Sequence, residues 1–163
     1  MKIVPKGIIV HSMAEYLEWE GEKVTAHDFL KKLGLSVHGF IHPNGDYEKM
    51  IPSPGKAAHA GKSLHEGLSG LNSHYLGFEL LVPGQHDFAT FSKAIETPGT
   101  YTEEQFERAV SVCKWWMDQY KFPASKVVRH SDVSGDDVRG KGKGKTDPGS
   151  AFDWERFKAA LVA

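Results

Sequence analysis

Three short apolar runs constrain this chain more than any other feature: Ile8-Ile9-Val10, Leu76 to Val82, and Val127-Val128. Runs of this length without a clean polar alternation are the mark of strands buried inside a sheet. The first ends at His11, the second is closed by Pro83-Gly84, and the third runs into Arg129 and His130. Between them lie segments of helical pattern. Thr25 and Asp28 form a capping pair for a short helix through Phe29, Leu30 and Leu33, stopped by Gly34. Thr102, with Gln105 three residues on, opens the clearest helix. There Phe106, Ala109, Val110, Cys113, Trp116, Met117 and Tyr120 recur on one face, and Pro123 ends it. Asp153 caps a last helix with Trp154, Phe157 and Leu161 inward. Val37 to Ile41 and Tyr47 to Ile51 read as two strands joined at Asn44-Gly45, a strong hairpin signal. Residues 52–74, 84–100 and 134–150 read as loop. Loose alternation of strands and helices with one hairpin predicts an α/β fold, a central mixed sheet flanked by helices.

At 163 residues the chain fits one domain, expected to span residues 1–163. That size buries a core without disulfides, and the single cysteine, Cys113, excludes both an internal disulfide and a multi-cysteine zinc site. A formal net charge of -1 argues against a bulk electrostatic grip on nucleic acid or an anionic membrane. No apolar run is long enough for a membrane span, and the N-terminus lacks the pattern of a secretory signal. The expectation is synthesis in the cytoplasm, as a monomer. The unusual count is nine histidines, which brings a metal into question.

His11 and His130 share a context, each directly following a short strand, where functional groups of α/β folds collect. Asp147 lies in the tight turn Lys145-Thr146-Asp147-Pro148-Gly149. Two imidazoles and a carboxylate make a three-ligand zinc site with an open fourth position, the catalytic arrangement. From the pattern alone the bland alternatives stand: a satisfied polar histidine, and a turn that is only a turn.

Residues 127–133, VVRHSDV, and 144–154, GKTDPGSAFDW, resemble the C-terminal motif of type-2 N-acetylmuramoyl-L-alanine amidases, a family that includes phage lysins, muropeptide-recycling amidases and peptidoglycan recognition proteins. GIIVHS resembles its first metal motif, SVHGFIHPNGDYEKMIP its central hairpin, AAHAGKS its His-Ala-Gly loop and LGFELLVPG the next strand. The five occur in the family's order over nearly the whole chain. The resemblance implies the type-2 amidase fold, one Zn2+ per chain on His11, His130 and Asp147, Glu79 as the catalytic carboxylate, and Lys145 facing the reaction centre. It places His38 and His59 along the cleft, supporting the ligands or touching substrate. Glu79 agrees on physical grounds, since an acid between Phe78 and Leu80 is costly without a partner or a task. Several members carry a tyrosine before the hairpin histidine; here Val37 precedes His38, which puts more weight on Glu79.

The expected reaction is zinc-dependent hydrolysis of the amide between N-acetylmuramic acid and L-alanine in peptidoglycan. Little more than one helix fits between His11 and His38, where recycling members generally carry a longer insertion. The expected role is therefore a phage-type endolysin acting on the wall after release, with a cytoplasmic muropeptide-recycling amidase as the alternative. A non-catalytic peptidoglycan-binding module would be expected to have lost a ligand, and an interaction domain with structural zinc would need a fourth one. The run from Arg139 to Lys145 lacks the helix opening of a phosphate loop and is expected to be a mobile rim. The remaining histidines, His27, His42, His65, His74 and His86, are expected to be solvated.

Overall fold

The computed structural model describes residues 1–163 throughout. Strand β1 spans Gly7–Trp19, β2 Glu22–Thr25, helix α1 Ala26–Leu33, β3 Gly39–Ile41, β4 Tyr47–Lys49, β5 Leu64–His65, β6 Leu68–Ser69 and β7 Tyr75–Gln85. Then follow α2 Phe88–Ala94, α3 Glu103–Tyr120, β8 Val127–Arg129, α4 His130–Val133, α5 Asp136–Arg139 and α6 Trp154–Leu161. The main sheet has six strands in the order β2-β1-β7-β3-β4, with β8 also against β1. Its centre is parallel, β8 with β1, β1 with β7 and β7 with β3; β2 and β4 run antiparallel at the sides. The expected mixed sheet flanked by helices is what the chain forms.

The central strand shows why its sequence reads as a nearly continuous apolar run. Leu76, Phe78 and Leu80 point into the main core, where α3 and α6 contribute Phe106, Ala109, Cys113, Trp116, Phe157 and Leu161. The alternate residues face the other way, Tyr75 into a cluster with Ile9, Leu71, Val128 and Val133, and Leu81 into one with Ala26, Leu30, Val37 and Phe40. Both faces are covered, so both are apolar except at Glu79. Of the adjacent tryptophans on α3, Trp116 is buried and Trp115 is 60% exposed. No helix is long and apolar enough to cross a membrane.

Some boundaries differ from the sequence reading. β1 does not end at His11 but runs on to Trp19, turning through Glu20-Gly21, both at positive φ, into β2. The partly buried Glu15 and exposed Glu18 in its outer half hid it. β7 continues through Pro83 to Gln85, which its β1 side permits because the register is bulged there, at the level of Ala14 and Tyr16. The stretch 84–100 contains α2, opened by a reciprocal cap between Asp87 and Thr90. The N-caps at Thr25, Thr102 and Asp153 form as expected, and Gly34 closes α1 at φ 73°.

Candidate metal centre and active site

The register of the sheet assembles the site. Val10 pairs with Arg129, so the next residues of the two parallel strands, His11 and His130, emerge side by side. On the other edge of β1, His11 pairs with Glu79 of β7. β8 partners β1 only at residues 8–10, and β2 begins only at Tyr16, leaving an opening along that edge. Asp147 fills it, its Oδ2 accepting from the Ser12 N–H at 3.1 Å in place of a strand partner. The turn that carries Asp147 is fixed at its other end by Gly149, at φ 77°, where a Cβ would lie 2.3 Å from the Ile95 carbonyl oxygen. The Tyr101 hydroxyl also donates to the Pro148 carbonyl, at 2.6 Å.

His11, His130 and Asp147 are buried, with ligand atoms all within 4.8 Å of one another. Nδ1 of His11 and Nδ1 of His130 are 3.1 Å apart. His130 Nδ1 lies 3.2 Å from Asp147 Oδ1, and His11 Nδ1 3.8 Å from Asp147 Oδ2. Ligands at ordinary zinc distances in a tetrahedron are about 3.3 Å apart, so these edges match.

The partners of the other ring nitrogens decide where the protons are. The Tyr75 carbonyl can only accept, so His59 Nε2–H donates to it at 3.0 Å and His59 Nδ1 is a lone pair. His11 Nε2–H then donates to His59 Nδ1 at 2.8 Å. His130 Nε2–H donates to the Ala60 carbonyl at 3.2 Å. In the neutral rings both Nδ1 atoms therefore carry lone pairs, facing each other beside a carboxylate. Burial, reinforced by the neighbouring His130, pushes the His11 pKa well below the usual value. Burial, with His38 close by, takes His59 down to about 3. Two lone pairs and an anion converging without a proton are repulsive unless a cation sits among them, so the donor set fits a zinc ion.

Glu79 is buried, with Oε1 unpartnered. Burial, and then the like charge of Asp147, push its pKa well up, against the opposing pull of Lys145. Lys145 is exposed, close enough for its charge to act on both His11 and Glu79. Its loop is pinned rather than a mobile rim: Asp136 accepts from the Gly142 and Gly144 N–H groups at 3.1 and 2.8 Å, and the Lys145 N–H donates to the Ser134 carbonyl at 2.8 Å.

His38 is fully buried, its Nε2–H donating to the Gly55 carbonyl at 2.7 Å and its Nδ1 accepting from Gly77 N–H at 3.0 Å. It holds backbone, and touches His59 edge-on at 5.7 Å between ring centroids. Gly77 is a site residue the sequence reading missed: a Cβ there would stand 2.5 Å from His59 Nδ1 and 3.2 Å from His11 Nε2. A glycine inside an apolar strand was the available signal. His27 and His42, expected to be solvated, both bond Glu48 and tie α1 and the end of β3 to β4.

The model of the N-acetylmuramoyl-L-alanine amidase family matches residues 1–150. The 1,6-anhydro-N-acetylmuramyl-L-alanine amidase AmpD of Enterobacter cloacae is 32% identical over 140 residues, 84% of this chain; the chain spans 64% of that protein's length. The crystal structure of a selenomethionine AmpD derivative superposes with a TM-score of 0.67 at 24% identity, covering 96% of this chain and 84% of that one. The endolysin LysCS of Clostridium intestinale gives a TM-score of 0.64 at 20% identity over 99% of this chain and 86% of its own, a likeness of fold. The family match takes in both histidines and the aspartate on which the geometry converges, and the chain belongs to the N-acetylmuramoyl-L-alanine amidase family.

Proposed function

We propose that this protein is a zinc amidase that hydrolyses the amide between the lactyl group of N-acetylmuramic acid and L-alanine. The observation that carries the reading is the convergence of two imidazole lone pairs and the Asp147 carboxylate, with Glu79 next to His11 in the adjoining strand. His11, His130 and Asp147 would hold the zinc, which when bound polarises the scissile carbonyl. Glu79 takes a proton from the attacking water and passes it to the leaving L-alanine nitrogen. Its apolar surroundings suit it to a shuttle, since they cost the charged form its solvation. The Lys145 ammonium supplies positive charge where the oxyanion develops. His59 orients His11 through the Nε2–H bond and fixes its tautomer, while His38 braces β7 through Gly77.

For the physiological substrate, the relatives favour the recycling alternative over the endolysin expected from the sequence. The curated relatives are named as anhydro-muropeptide amidases, whereas the endolysin structures, at 20% identity, argue for fold alone. The reading is therefore soluble anhydro-muropeptide cleaved at the L-alanine. The test incubates zinc-loaded protein with anhydro-muropeptides and, separately, with intact sacculi, and measures new L-alanine amino termini. Release from the fragments supports the reading; release from sacculi alone restores the lysin, and release from neither removes the amidase function.

A further inference from the structure

The two histidines of the proposed centre are backed unequally. His11 Nε2–H donates at 2.8 Å to His59 Nδ1, which accepts no other bond. His130 Nε2–H reaches the Ala60 carbonyl only at 3.2 Å, longer than the about 2.9–3.0 Å usual for such bonds. That carbonyl is shared: Arg139 Nη2 donates to the same oxygen at 3.0 Å. The Ser134 hydroxyl also comes within 3.3 Å of it, but its single proton goes to the Lys62 carbonyl at 2.9 Å. Both lone pairs of the Ala60 oxygen are thus taken, one by a ligand imidazole and one by a cation.

Arg139 is the last residue of α5, and Gly61 makes its approach possible. Gly61 sits at φ 59°, and a Cβ there would stand 2.6 Å from Arg139 Nη2. The guanidinium is half-buried and has no counter-ion. Arg129 and Arg156 pair with Asp132 and Glu103, whereas Arg139 pairs with no carboxylate, and its Nε is buried without a partner. A cation left uncompensated at half-burial is costly. Anchoring the loop does not require it, because Asp136, Ser134 and the Lys145 N–H already pin that segment through uncharged backbone groups. The chemistry follows from the shared oxygen. A ligand imidazole becomes a better electron donor when its other N–H meets a strong acceptor. A guanidinium on that acceptor draws its electron density away, so the His130 ring donates less. The same positive charge repels a divalent cation. Both effects loosen the grip on the metal and leave it a stronger polariser of a carbonyl.

We infer that Arg139 is a positioning residue that acts on His130 through the Ala60 carbonyl, lowering zinc affinity while raising the polarising power of the centre. The inference rests on the proposed ligand set and amidase reading. The test compares the native protein with Arg139→Met, which keeps a long stem but loses charge and donor, and with Arg139→Lys, which keeps the charge. Zinc affinity is measured by competition with a chromophoric chelator. Arg139→Met should bind zinc about ten-fold more tightly, the lower end of what a ligand's support contributes, and Arg139→Lys should stay close to the native value. In the metal-free proteins, histidine-ring 15N–1H spectra should show the His130 Nε2–H proton further downfield in Arg139→Met, as its bond to Ala60 shortens. On anhydro-muropeptide, Arg139→Met should lower kcat by about ten-fold with KM unchanged. Equal or weaker zinc binding by Arg139→Met makes Arg139 a brace and overturns the inference. So does an unmoved His130 resonance, or a tightening in Arg139→Lys as large as in Arg139→Met. A rise in KM with kcat unchanged assigns Arg139 to substrate and overturns it as well. A native protein that binds no zinc overturns the ligand set itself; one that binds zinc but cleaves nothing overturns the amidase reading, while the affinity and the resonance still decide the role of Arg139.

Discussion

Glu79 occupies a place where a carboxylate is costly, and the cost identifies it. Its neighbours along β7 are apolar, one of its oxygens has no partner, and Asp147 adds repulsion. Glu79→Gln should keep the fold and the metal, with a melting temperature no lower than the parent's, because it removes a buried charge. Turnover should fall about a hundred- to ten-thousand-fold, read as kcat on anhydro-muropeptide. Retention of near-native kcat would put the proton shuttle elsewhere. Lys145→Ala should lower kcat by about a hundred- to a thousand-fold without changing zinc content, since its ammonium is not among the ligands. Glu48 works in the other direction. Burial raises its carboxyl, but hydrogen bonds from His27 and His42 outweigh that and hold its pKa below the usual value. A depressed folded pKa means the stabilisation is present at neutral pH and is lost as pH falls through the carboxylate range. Denaturation midpoints of Glu48→Gln and parent should therefore differ modestly at pH 7 and converge below about pH 4, in keeping with a half-exposed group.

Among the elements, β7 does the most to place the site and was only half legible. Its alternation put Leu76, Phe78 and Leu80 in the core and Glu79 on the opposite face, and that much follows from a period of two. What could not be read was the register, since pairing His11 with Glu79 depends on strands 68 residues apart. The three proposed ligands were hinted at by strand ends and a KTDPG turn, which are local signals, and singled out by the family resemblance; the structure brings them together. The roles of Gly77, the Ser12 N–H and the Ala60 carbonyl were not, because backbone groups acquire a function only through long-range contact. Gly77→Ala tests this element directly. The added methyl collides with His59 and His11, so zinc affinity should fall by about ten- to a hundred-fold, the usual cost of disturbing a ligand's support, while far-UV circular dichroism stays unchanged. α3 is anchored by the buried Gln105, whose amide donates to the Ile41 and Leu81 carbonyls at 3.2 and 2.7 Å. That residue was legible as a cap but not as a tie to two strands.

Across the whole molecule, the proposed ligands lie far apart in sequence, His11 and His130 by 119 residues, and Asp147 lies 135 residues from Ser12, whose N–H holds it. Zinc at a hundred-fold excess over its Kd should stabilise the fold by about 2.7 kcal/mol, and the melting temperature should fall by roughly 5–10 °C on chelation and recover on adding zinc back. Unaltered melting in a verified metal-free sample would remove the ligand assignment. The wide separation also orders events during synthesis. The first histidine leaves the ribosome early and waits, and nothing can close around a metal until Asp147 has followed it out and settled in the opening along β1. On the proposed ligand set, metal capture requires that synthesis has passed Asp147. Any fragment that stops short of Asp147 would keep most of the apolar sheet yet lack the carboxylate that completes the proposed ligand set.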